Sequence, residues 1–258
     1  MFVKGIDGQD LSCKDRSINV GANNRAFITD YANDSSSYWA YYHYFLGGTM
    51  EFDVDVSKVG CSQVQGIYMV AIDDDSCSWD EKSSAPSCAS IEVMEANTVG
   101  FRAAQRPCEA SGNCNNSQQQ SPSGTQYGPG SSYVIDSTKP FKLSVKFYAQ
   151  MDSDGNLGEL EKLETTLTQG TSTVTLVNDD SVFLRTFTPQ LKFGMAIAVS
   201  NYIAGTTNEI SGTCAQSVSD HQPTTLSNFA WTVYDSIAEP PVPTPTEDVV
   251  IGAVAPSI

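Results

Sequence analysis

Apolar and polar residues alternate one by one along several short stretches of the chain, the period of a half-buried β-strand. Met50-Glu51-Phe52-Asp53-Val54-Asp55-Val56 puts apolar side chains on one face and acids on the other, and Phe141-Lys142-Leu143-Ser144-Val145-Lys146-Phe147 repeats the pattern. Gly66-Ile67-Tyr68-Met69-Val70-Ala71-Ile72 is more continuously apolar, which predicts a more central strand. Further strands are predicted at Cys88–Asn97, Ser132–Asp136, Ser172–Val177 and Phe193–Val199, and at Asn228–Tyr234, where Phe229, Trp231 and Val233 share a face. Asn19–Arg25 reads as a turn and Asp152–Asn156 as a hairpin tip. Residues 73–89 form a polar loop, and the Gly/Ser/Gln/Asn-rich residues 98–130 a long one. No segment sustains a helical period, so the expected fold class is all-β, a β-sandwich.

The sandwich is expected to span residues 1–237. Pro240-Pro241-Val242-Pro243-Thr244-Pro245-Thr246 marks an extended linker over 238–248. A short apolar tail follows over 249–258, whose Val249–Val254 has the character of a docking strand. No leader segment is visible after Met1, and no apolar run reaches the ~18 residues of a spanning helix.

Charge narrows the partners. A formal net charge of −16 repels a phosphate backbone at long range, so a nucleic-acid partner is not expected. The seven cysteines form no CxxC pair, and only His43 and His221 could assist them, so no metal or other cofactor is expected. Disulfides and an oxidising, extracellular setting fit better. The sequons at Asn33 and Asn115 are compatible with a secreted glycoprotein. Gln150–Glu161 partly matches a calcium loop, but its first ligand is Gln and its flanks read as strands, so the hairpin tip is preferred.

The candidate chemistry lies in Cys88-Ala89-Ser90-Ile91-Glu92-Val93-Met94-Glu95-Ala96-Asn97. Glu92 and Glu95 form a carboxylate pair of the kind that sugar-cleaving enzymes use. Two readings stand beside each other: a solvated polar strand face, or the working strand of a glycan cleft.

Several stretches together resemble glycoside hydrolase family 7, the cellobiohydrolases and endoglucanases of β-1,4-glucan. Phe45-Leu46-Gly47-Gly48-Thr49-Met50-Glu51-Phe52-Asp53-Val54-Asp55-Val56, Cys61 and the Gly66–Ile72 strand are similar to its "FDVD" strand, cysteine and "GALYFV" strand. Met94-Glu95-Ala96-Asn97 is similar to its "WEAN", and Tyr127–Lys139 to the segment after its substrate loops. Gly212-Thr213-Cys214 and the Phe229 strand are similar to its closing elements.

The resemblance covers roughly residues 19–237 and implies a concanavalin A-like jelly roll, with the N-terminal part of the family fold largely missing. Strands from another chain, or the 249–258 tail, could then complete the sheets. It also implies an E-x-D-x-x-E motif in which Glu95 is the acid/base, Glu92 takes the helper position, and Ser90 stands where the nucleophile is expected. A serine without an adjacent base is a poor nucleophile. Arg106 occupies the place of a cleft histidine, and a substrate loop is deleted between Gln120 and Tyr127.

Tyr68 then matches a cleft tyrosine, or is core. Arg25 matches a sugar-contacting arginine, and Trp39 beside Tyr38 is a stacking platform or packing. The implied disulfides are Cys61–Cys214, Cys77–Cys88 and Cys108–Cys114, leaving Cys13 as a buried strand thiol or a link to another chain. The expectation is a secreted, glycosidase-like protein that has lost hydrolysis and acts as a polysaccharide-binding (β-glucan-like) or structural component. An active retaining endo-β-1,4-glucanase with an open cleft is the alternative.

Overall fold

The computed structural model describes residues 2–5, 11–14, 17–29, 42–72, 88–108, 116–151, 153–204, 207–208, 210, 212–213 and 222–232. In chain order the strands are β1 (Phe2–Gly5), β2 (Leu11–Lys14), β3 (Ser17–Val20), β4 (Asn24–Thr29), β5 (Tyr42–His43), β6 (Thr49–Asp55) and β7 (Gln63–Val70). Then come β8 (Ser90–Ala96), β9 (Phe101–Arg106), β10 (Gln118–Gln120), β11 (Tyr127–Gly128), β12 (Ile135–Asp136), β13 (Phe141–Met151) and β14 (Leu157–Gln169). The last are β15 (Ser172–Asn178), β16 (Met195–Ile203), β17 (Thr207–Asn208), β18 (Gly212–Thr213) and β19 (Thr224–Thr232).

Two large antiparallel sheets form a jelly-roll sandwich. One has eight strands in the order β1-β4-β16-β7-β8-β9-β10, with β5 also pairing β16; the other has seven, β15-β14-β13-β6-β19-β3-β2. The alternation predicted for β6 and β13 holds: Met50, Phe52, Val54, Leu143, Val145 and Phe147 are buried, while Lys142 and Lys146 are exposed. Between the sheets, Phe52 stacks on Phe229 at 5.0 Å and Phe45 meets Phe147 at 5.7 Å. β7 is central, as its continuous apolar run predicts, with every residue buried.

Three expectations are corrected. The stretch read as a loop over 98–130 contains β9 and β10, whose alanines and glutamines give a weak apolar signal. The strand expected over 132–136 shrinks to Ile135–Asp136. Residues 181–193, where no helical period was legible, form two short helices, α1 (Ser181–Leu184) and α2 (Thr188–Phe193), joined by a 3-10 turn. The cap of α1 is Asp180, whose side chain accepts from the Phe183 amide, and Pro189 occupies the first turn of α2, where a missing N–H is harmless. Residues 233–258, including the linker and tail, lie outside the described residues.

Candidate functional site

The site is built on a break in strand register. On a regular strand, residues three apart point to opposite faces. In β8, however, Glu92 pairs with Tyr68 and Met94 with Ile67, so Val93 is an extra residue relative to β7. Against β9, Glu92 pairs with Ala104 and Glu95 with Arg102, so two residues oppose one. This bulge turns both Val93 and Met94 into the core and brings Glu95 back to the face of Glu92, turned away from the other sheet.

Neighbouring strands add to that face in rows. Arg25 pairs with Ser200, Ser200 with Gly66, Gly66 with Glu95 and Glu95 with Arg102. The next row runs Phe27, Ala198, Tyr68, Glu92, Ala104, and the one after it holds Val70, Ser90 and Arg106. Gly66 leaves the space that Tyr68 needs: a Cβ there would stand 2.2 Å from the Tyr68 hydroxyl and 2.4 Å from its ring.

The carboxylates are not a solvated strand face. Glu92 is 5% exposed and Glu95 4%. Oε1 of Glu95 accepts from the Tyr68 hydroxyl at 2.8 Å and the Tyr202 hydroxyl at 3.0 Å, and its Oε2 accepts from Nη2 of Arg102. The same Nη2 lies 3.5 Å from Oε2 of Glu92. Oε1 of Glu92 accepts from Nε of Arg106, whereas its Oε2 is buried and accepts no hydrogen bond. Ser200 donates to the Tyr68 hydroxyl at 3.4 Å.

Burial and the charge of Glu95 push the Glu92 carboxyl above its ordinary range, against the pull of Arg106 and Arg102. Burial and Glu95 also push the Tyr68 and Tyr202 phenols up, so both act as hydrogen-bond donors at neutral pH. One guanidinium nitrogen contacting both acids sets the carboxyl groups close together. Arg102 lies against both carboxyls.

The structure thus gathers Ser90, Glu92, Glu95, Tyr68, Arg106 and Arg25 on one face of the sheet. It adds Arg102, Tyr202 and Ser200, which the sequence reading missed. Arg102 belonged to the stretch read as loop, although Arg102, Ala104 and Arg106 alternate with Phe101, Ala103 and Gln105. Trp39, Asn33, Asn115, Cys77, Cys114 and Cys214 lie outside the described residues. Cys61, Cys88 and Cys108 are disulfide-bonded. Among the described residues, no helix is long and apolar enough to cross a membrane.

Solved structures place this architecture. An endoglucanase I complexed with cellobiose superposes with a TM-score of 0.66 at 14% identity, over 86% of this chain and 77% of that one. The fold is that of family 7 glycoside hydrolases. The Humicola insolens endocellulase EGI matches with a TM-score of 0.65 at 16% identity, over 86% of this chain and 77% of the other. A family 7 cellobiohydrolase from Daphnia pulex gives 0.61 at 15% identity, over 86% and 79%. No protein-family model matches the sequence, and no curated protein does.

Proposed function

We propose that this chain is a secreted polysaccharide-binding protein that uses a glycosidase fold without its hydrolysis. The observation that carries this reading is Arg102, which contacts both Glu92 and Glu95 on the face where family 7 enzymes hold their glucan. A retaining reaction needs one carboxylate free to attack and a second free to give up a proton. Here Glu95 spends both oxygens on three donors, and Ser90, at the expected nucleophile position, lies opposite Arg106 rather than a base. Tyr68, Arg25 and Arg106, with Trp39, are the proposed glycan contacts. The pairings Cys61–Cys214, Cys77–Cys88 and Cys108–Cys114 and glycans at Asn33 and Asn115 belong to the same proposal, as does assembly through Cys13 or a donated strand.

The test is incubation of pure protein with β-1,4- and β-1,3-glucans. Retention on the polysaccharide with no release of reducing sugar is expected. Release that disappears in Glu95→Gln would overturn the reading.

One observation favours a second reading, an open-cleft endo-β-1,4-glucanase. Glu92 has a raised carboxyl and an Oε2 that accepts no hydrogen bond, so it could carry the proton that the family assigns to the acid/base position. Activity would then fall at least 100-fold in Glu92→Gln. A well-folded sample inactive across a glucan panel would end this alternative.

A further inference from the structure

We infer that the glycan held on this face carries negative charge, a carboxylate or sulfate ester that Arg106 binds through the outer edge of its guanidinium. The inference rests on the reading that this face binds a glycan, and it specifies the class.

Arg106 closes the strand β9 and is more solvent-accessible than Glu92, Glu95 or Arg102. Its side chain is 37% exposed, against 6% for the Glu92 it pairs with. That pair uses Nε alone. Among the described residues, Nη1 and Nη2 of Arg106 donate to no acceptor, so two parallel N–H groups are presented on the site face. Such a fork matches the two oxygens of a carboxylate or sulfate, and charge-assisted bonds of this kind are about twice as strong as neutral ones. A neutral glucan hydroxyl would engage only one arm of it.

The electrostatic setting agrees. The strands of the eight-stranded sheet carry Lys4, Arg25, Arg102 and Arg106 against only Glu92 and Glu95. Three of the five arginines in the chain lie in the two rows through Glu95 and Ser90. The seven-stranded sheet has the opposite balance, six acids against four lysines. The net charge of −16 would repel a polyanion at long range. At physiological salt, however, charges beyond about 8 Å are largely screened, so the local excess of arginine governs close approach.

Glu92 is the internal competitor. It already holds one edge of Arg106, and its removal would leave that arginine wholly available.

The experiment is calorimetric titration of the full chain with three soluble β-1,4-linked oligosaccharides of equal length: cello-oligosaccharide, its C6-carboxylated form and its C6-sulfated form. Binding of one or both charged forms at least 10-fold tighter than the neutral one, weakening between 50 and 300 mM salt, is the expected result. Which charged form binds identifies the source of the anion.

Arg106→Lys keeps a cation beside Glu92 but removes the fork. It should weaken the charged ligand about 10-fold more than it weakens the neutral one. Glu92→Gln should tighten the charged ligand. Equal affinity for neutral and charged forms, or no effect of Arg106→Lys, overturns the inference while leaving glycan binding intact. Failure of all three to bind overturns the glycan-binding reading itself.

Discussion

Glu92 ionises in an environment that opposes its charge. Its folded carboxyl is raised above the ordinary 4.5 by burial and by Glu95, so the stability it lends is fully present below that pH. That stability is lost as pH rises through the folded value. Glu92→Gln cannot ionise, so the difference in melting temperature between variant and wild type should shift in favour of the variant as pH goes from 4 to 7. A difference that stays constant over that range, measured by calorimetry, would contradict it.

Arg102 acts in the opposite sense. Arg102→Met leaves two buried carboxylates without their shared cation, and breaking a buried pair in this way costs about 3–5 kcal/mol. Denaturant unfolding should show that loss, and most of it should return when Glu92→Gln and Glu95→Gln are added. Gly66→Ala forces the Tyr68 ring away from Glu95 and should cost about 1–3 kcal/mol, more than the ~1 kcal/mol of Tyr68→Phe.

At the scale of strands, irregularities rather than regular pleat define the site. The alternation of β6 and β13 was legible because one face is buried in the core and the other faces solvent. The carboxylate pair was legible as residue types, but their common face was not, because it depends on the extra residue Val93. β19 uses the same device. Thr224 and Leu226 are buried in its first half and Phe229 in its second, and the switch falls at Asn228, which has φ of 54°. The site half that was missed, Arg102 and Tyr202, sits on strand segments whose small or polar residues blur the alternation.

The edge at β9–β10 is fastened to the other sheet by side chains. Asn178 at the end of β15 donates to Gln105 at 2.7 Å and to Gln118 at 2.9 Å. Asn178→Ala should therefore cost about 1–3 kcal/mol and speed amide exchange in β10 ahead of β7. Exchange that accelerates equally in both strands would show that this tie is not local.

At the scale of the molecule, the disulfide-bonded cysteines among the described residues flank the strands that carry the charges. Cys61 precedes β7, Cys88 precedes β8 and Cys108 follows β9, and all three are disulfide-bonded. These three strands hold the buried acids and the bulge, the part of the sheet with most to lose from a register slip. Reduction should lower the melting temperature, each bond contributing about 2–5 kcal/mol. Alkylation of the unfolded, unreduced chain should label a single cysteine, Cys13; labelling of three or more would refute the three proposed pairings.

The bridging arginine also bears on how such a protein could change over generations. Introducing a carboxylate at Ser90 by itself places it opposite Arg106, where it competes with Glu92 for that arginine and leaves Arg102 between the two acids. Removing Arg102 by itself strands two buried acids. Each single step therefore disturbs the charge balance that the other position holds, so the effects of the two substitutions should not add. Laboratory selection for cleavage starting from this chain should recover changes at Ser90 and Arg102 together, never either alone.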